Sequence, residues 1–353
     1  MTLSAPYRVE RSTRISRYAL PFGAAAFLVL ASLPAWAGAG QLRLLSEIGY
    51  YLALAEAWNL LAGYAGLVSV GQQAFVGLGG YALFLLTMRL GVPPLAAVPL
   101  AGMATAVVAM PTAFIVFRLR GAYFAIGTWV VAEVFRLLLA VYKPLGGGSG
   151  MSLTVAVMRQ VSESRAGRDA ILYDLSVGLG VGSVLLAFLW LRSRQGLALT
   201  ALRDSEAASA SVGVDNERTK FAVYVVAALL TGCAGALIFL TKLRISPDAA
   251  FSVLDWTADV IFIVVIGGIG SIEGPILGTI VFFALRALLA DYGAWYLIIL
   301  GLVAVLVMLL APRGLWGVLA ARFGIQIFPV QRRLRLLDAA ALPPVLGPPS
   351  GGA

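Results

Sequence analysis

The sequence has no histidine, a single cysteine and few lysines. The lack of histidine excludes histidine-based catalytic triads, imidazole metal sites and histidine proton relays. Cys233 stands alone inside an apolar stretch, so an intrachain disulfide or a thiolate metal cluster cannot form, and no metal or cofactor site is expected. The lysines are Lys143, Lys220 and Lys242, and none follows a glycine, which excludes the phosphate-cradling loop G-x-x-x-x-G-K-S/T. If ATP drives this protein, a partner chain binds and hydrolyses it. Charge is also scarce: 12% of the 353 residues are Asp, Glu, Lys or Arg and 60% are apolar, with a mean hydropathy of +0.92. Soluble domains carry roughly 25% charged residues, and no soluble domain of useful size fits between the apolar runs.

What is present is membrane-spanning sequence. At about 20 apolar residues per helix, ten runs are expected to span, at 19–40, 42–62, 73–89, 94–117, 121–141, 171–192, 221–241, 256–268, 275–290 and 295–312. The implied fold class is all-α: a polytopic helical membrane protein of about ten transmembrane helices, two Gly-interrupted segments and both termini cytoplasmic. The net charge of +9 then has a topological origin and calls for no nucleic acid. With an inside N-terminus, 16 Lys/Arg lie on the cytoplasmic side and 8 outside, while Arg136 and Arg286 fall within spans, in line with the positive-inside rule. Trp36, Trp190, Trp256, Trp295 and Trp316 fall near span ends, as interfacial rings do; Trp58 and Trp129 do not and are expected in helix packing. Residues 8–17, Ala24–Leu30 and Ala35–Ala39 imitate a cleavable signal peptide, but an uncleaved first span is the expected reading. The division is a cytoplasmic segment 1–18, a permease domain 19–320 and a cytoplasmic tail 321–353 that is disordered in part, its end Pro/Gly-rich. Two connections are long, an outer loop 142–170 and a cytoplasmic loop 193–220.

Glycine breaks the apolar sequence at 59–81 and at 266–278. Irregular backbone at membrane depth survives only where protein buries it or where it lines a wet cavity, and paired interruptions mark a substrate path. Asn59, Ser69, Gln72, Gln73, Gly268 and Gly270 are the path candidates, although close packing of small residues is the alternative, which suits Gly77 and Gly278. Glu56 joins them as an ionisable group inside a span. Glu133 and Arg136, three apart on one helix, form an intramembrane pair that lowers its own insertion cost; Glu47 has no obvious local partner. In the cytoplasmic loop, Arg203 to Val212 reads as one short helix, Gly213 as its stop and Asp215-Asn216 as the cap of the next helix. A short Ala-rich helix held between two spans suits insertion into a groove on a partner.

Glu206-Ala207-Ala208 followed by Gly213 resembles the EAA coupling loop of ABC importer permeases. Three further stretches are similar to the branched-chain amino-acid ABC permeases: NLLAGYAGLVSVGQQAF (59–75), RGAYFAIGTWVVAEVFRLLL (120–139) with GGGSGM (146–151), and VVIGGIGSIEGPILG (264–278) with PRGLWG (312–317). The RGAYFAI stretch resembles the longer of that family's two permease subunits more than the shorter, and the likeness spans roughly residues 45–320. Four residues, not the general three, separate the second alanine from the glycine, and the later Ile-x-Leu-Pro is missing, which leaves the docking face open. The resemblance implies a non-catalytic, multi-pass subunit of the bacterial inner membrane. It would pair with a second permease, engage two cytoplasmic ATPases through Arg203, Glu206, Ala207, Ala208 and Gly213, and take solute from an extracytoplasmic binding protein. It implies leucine, isoleucine and valine as substrates, with urea or short amides handled by near relatives. An ion-coupled carrier, using Glu56 or Glu133, is the competing transporter class. An intramembrane enzyme is disfavoured, because Asp255, Asp259 and Asp291 make no paired-aspartate arrangement.

Overall fold

The computed structural model describes residues 7–10, 14–293, 295–324, 327–328 and 333–336. The chain runs through α1 (Arg14–Ser32), α2 (Ala39–Asn59), α3 (Gln72–Met88), α4 (Pro94–Val116), α5 (Ala122–Val141), α6 (Val155–Val161), α7 (Arg165–Arg192) and α8 (Arg194–Asp204). It continues through α9 (Glu206–Ser211), α10 (Asn216–Lys242), α11 (Pro247–Ala250), α12 (Asp259–Gly267), α13 (Glu273–Leu289), α14 (Trp295–Leu310) and α15 (Gly314–Phe323). Helices overlie each expected apolar interval. Six segments are long and apolar enough to cross a bilayer by length and composition alone: 94–116, 122–141, 165–192, 216–242, 247–267 and 297–323. The molecule is therefore a polytopic all-α membrane protein.

Several boundaries differ from those expected. The first helix begins at Arg14, inside the segment assigned to 1–18. The outer loop assigned to 142–170 is partly helical: α6 occupies its middle and α7 begins at Arg165. Ser164 caps α7 by accepting from the Gly167 N–H at 3.0 Å, and its first turns carry Arg165, Arg168 and Asp169, which a hydropathy reading discards. Two short antiparallel ladders supplement the helices. β1 (Tyr7–Glu10) pairs with β4 (Arg333–Leu336), and β2 (Met151–Ser152) pairs with β3 (Arg244–Ile245). The Pro/Gly-rich end of the tail, 337–353, lies outside the described residues.

Helix α10 is the axis of the bundle: 83% of its apolar window is buried. Small residues make this possible, since close backbone approach drives helix association where hydrophobicity cannot. Gly79 of α3 lies against the Gly232 carbonyl of α10, and Gly278 of α13 against the Ile263 carbonyl of α12, so close that a Cβ would overlap each. At the other extreme, only 17% of the α5 window and 11% of the α14–α15 window is buried.

Candidate functional site

The two Gly-broken segments meet. After Asn59 the backbone widens into a π-helical turn over Leu60–Tyr64 and leaves helical form before α3 restarts at Gln72. The second break follows Gly267, where Gly268 and Gly270 take φ of +133° and +76°, conformations that L side chains resist. Asn59 joins the breaks: its Oδ1 accepts from the Gly270 N–H at 2.8 Å and its Nδ2 donates to the Ser271 carbonyl at 2.9 Å. Gly63 packs on the same loop, where a Cβ would come 2.6 Å from the Gly270 nitrogen. A guanidinium nitrogen of Arg203, on α8, lies 3.2 Å from where a Gly270 Cβ would stand. The loop 193–220 and both breaks thus converge on one backbone position.

The other path candidates are enclosed in protein. Ser69, Gln72 and Gln73 are each 3% exposed or less. Gln72 donates to the Thr231 hydroxyl of α10 at 2.8 Å. Gln73 exchanges two hydrogen bonds with Thr257, donating from its N–H and accepting from the hydroxyl. Ser69 accepts from the Gly71 N–H through its hydroxyl and from the Trp58 indole N–H through its carbonyl. In this conformation these polar groups tie helices together. Glu56 is fully buried, and neither carboxyl oxygen meets a donor in hydrogen-bonding geometry among the described residues; the amide of Asn59, one turn on, is engaged with Gly270 and Ser271.

Glu273, in electrostatic range of Glu56, is a site residue that the sequence reading misses. It accepts from the Ile327 and Phe328 N–H groups at 3.1 and 2.8 Å, drawing the segment beyond α15 back onto the second break. An acidic residue inside an apolar glycine-rich stretch is the one signal that could have marked it. Nothing local in the sequence marks Thr231 or Thr257 as partners of the glutamines.

The loop 193–220 holds two helices in place of the single helix expected over 203–212. Ser205 breaks it: its backbone is extended, with φ of −164° and ψ of 118°, and its hydroxyl accepts from the Ala208 N–H, starting α9 afresh. This is N-cap chemistry. Gly213 takes φ of +85° and ends the element, and Asp215 caps α10 through the Arg218 N–H at 3.1 Å. Leu199 and Leu202 anchor α8 in the core, Ser209 is buried under α9, and Glu206 pairs with Lys220 at 2.6 Å. Ala207, Ala208 and Ala210 remain exposed, with Val212 beside them at 76% exposure.

On α5, Arg136 donates to both oxygens of Glu133, from Nε at 3.0 Å and Nη2 at 2.6 Å, and through Nη1 to Asp248 at 2.6 Å. Asp248 turns the expected pair into a triad. Glu47 finds Arg286 at 3.5 Å. Two tryptophans depart from expectation: Trp256 is buried and donates to the Ala249 carbonyl, while Trp129 is 47% exposed. Among the described residues no group of three Asp, Glu, Cys or His side chains is placed to hold a metal.

Residues 41–312 match the family described as branched-chain amino acid transport system, permease component. The high-affinity branched-chain amino acid transport system permease proteins LivM of Salmonella typhimurium and Escherichia coli are each 30% identical to this chain over 313 residues, covering 82% of it and 73% of the relative.

Proposed function

Because the chain belongs to the branched-chain amino acid transport permease family, we propose that it is a translocation subunit of an ABC importer for branched-chain amino acids. In this reading it spans the bacterial inner membrane ten times with both termini in the cytoplasm. The excess of Lys/Arg in the cytoplasmic segments supports that orientation. The antiparallel ladder between β1 and β4 supports an even number of spans, since strands from the two ends can pair only on one side of a membrane.

The chain has no nucleotide-binding loop of its own, so the driving ATP is bound and hydrolysed by two partner ATPases on the cytoplasmic face. A second permease completes the path, and an extracytoplasmic binding protein delivers solute over the outer segment 142–164. The observation that carries the reading is the convergence on Gly270. Helices α8 and α9 present an exposed, small-residue face for a partner, and the same element reaches the Gly-broken segments through Arg203. When the ATPases close, α8–α9 moves as a unit because Leu199, Leu202 and the Glu206–Lys220 pair bind it to its neighbours. Arg203 carries that displacement to the Gly268–Ser271 loop, and the Asn59 bonds pass it to the end of α2. Asn59, Gly268 and Gly270 then act at the inner end of the path, while Glu56, Ser69, Gln72 and Gln73 hold the helices that frame it.

The test uses the assembled transporter in proteoliposomes. Gly213→Val, which forces a β-branched residue into a φ of +85°, should lower leucine uptake per ATP hydrolysed while the protein stays inserted and assembled. Unchanged uptake per ATP would remove α8–α9 from the coupling route.

A further inference from the structure

Helices α5 and α14 both leave most of their surface uncovered, and they differ in chemistry. The exposed arc of α14 carries Leu302, Val305, Leu306 and Leu309, and the helix has no Asp, Glu, Lys or Arg; it is built to face lipid. The exposed arc of α5 carries Ile126, Trp129, Val130, Val134 and Leu137, and Glu133 lies inside that arc with 42% of its side chain exposed. Glu133 is the twelfth of twenty residues in α5, about 16 Å along its axis at 1.5 Å per residue, hence near mid-membrane. A charged side chain at that depth faces protein or a wet cavity, because hydrocarbon cannot solvate it.

Two observations point beyond a self-neutralised pair. Arg136 is shared between Glu133 and Asp248, so one cation meets two carboxylates and the triad keeps one net negative charge, with Asp248 81% exposed at its outer end. Beside it, Tyr81 is 2% exposed and stacks on Phe251, and its hydroxyl, in electrostatic range of Asp248, has no hydrogen-bond partner among the described residues. A buried hydroxyl without a partner costs free energy that a ligand oxygen would recover.

We propose that the outer arc of α5 is a wall of the water-filled translocation path, where Glu133 and Asp248 receive the ammonium group of a passing amino acid and the Tyr81 hydroxyl donates to its carboxylate. The wall follows from α5 alone; the amino acid as ligand rests on the transport reading above. Arg136 is the positioning residue, bridging the two carboxylates and screening their mutual repulsion. The apolar residues of the arc, Val130 and Val134 among them, suit an aliphatic side chain moving past. A solute with an ammonium and a carboxylate on one carbon satisfies both ends, whereas a simple anion meets the net negative charge and is disfavoured.

The experiment is cysteine accessibility in the complete transporter carrying Cys233→Ala. Single cysteines replace Val130, Val134 and Leu137 on α5, and Leu302, Val305 and Leu306 on α14. The thiolate, which forms only in water, attacks the charged, membrane-impermeant thiol reagent. The α5 positions should label at least about tenfold faster than the α14 positions; equally slow labelling of both sets would overturn the wall. Leucine at saturating concentration should slow labelling of Val134→Cys, and isocaproate, which keeps the side chain and carboxylate but lacks the ammonium, should not. Equal protection by isocaproate, or protection unchanged by Asp248→Asn and Tyr81→Phe, would overturn the ammonium and carboxylate contacts. Fast labelling protected by another amino acid but not by leucine would leave the wall standing and refute branched-chain specificity instead.

Discussion

At the scale of single residues, Asn59 does the most with the least. One carboxamide satisfies an amide N–H and a carbonyl on a part-buried loop 211 residues away in the chain. Asn59→Leu keeps the volume and strands both groups. Each buried unsatisfied group costs about 1–3 kcal/mol, though hydrogen bonds between membrane helices average only about 0.6 kcal/mol; a net loss of about 1–3 kcal/mol is expected, read as a lower melting temperature of the purified protein. Gly79 is the opposite case, a residue whose value is its missing side chain. Gly79→Val pushes two methyl groups toward the Gly232 carbonyl, and overpacking of this kind costs about 1–3 kcal/mol or more. A reduced fraction of folded protein on extraction checks it.

Residue identity made some of this legible. Asn59, Gln72 and Gln73 stand out in sequence because packing alone does not require polar side chains inside spans. Their partners did not stand out, since Thr231, Thr257 and Gly270 are ordinary residues brought close only by the fold. Arg203 could be read as the start of a docking element but not as a neighbour of Gly270, and Asp248 could not be joined to Arg136, because both proximities depend on how separate helices pack.

At the scale of elements, apolar run length was a good guide to where helices lie and a poor guide to where they start. Helix α7 begins with charged residues and is recognised by its Ser164 cap, not by hydropathy. The α8–α9 break shows the same limit: Ala-rich sequence favours one continuous helix, but Ser205 offers its hydroxyl as a cap and divides it. Ser205→Ala should cost about 1 kcal/mol at the start of α9, so backbone amides over 207–210 should exchange hydrogen about fivefold faster while those of α10 are unchanged. The exposed faces of α5 and α14 carry the complementary lesson. Both resemble lipid-facing helices by apolarity, and the charged triad on one of them is what separates their environments.

At the scale of the whole molecule, a nearly fully buried α10 is ringed by helices whose outer surfaces are largely apolar, and polar groups gather where the Gly breaks meet the loop 193–220. Topology is the first prediction here. Cysteines at Arg159 should label from outside intact cells and cysteines at Asp204 only after permeabilisation; the reverse pattern would invert the orientation. Motion is the second. In the transport reading proposed above, the route from partner to path passes from α8 through Arg203 to Gly270 and on through Asn59, with no chemistry performed by this chain. Arg203→Gln removes the guanidinium while leaving Ala207, Ala208 and Gly213 available for docking. The most direct test is leucine uptake and ATP hydrolysis measured together on the reconstituted transporter carrying this substitution. ATP hydrolysis should persist while uptake per ATP falls at least about tenfold, a loss of about 1.4 kcal/mol of coupling; uptake per ATP equal to that of the unsubstituted transporter would contradict the route.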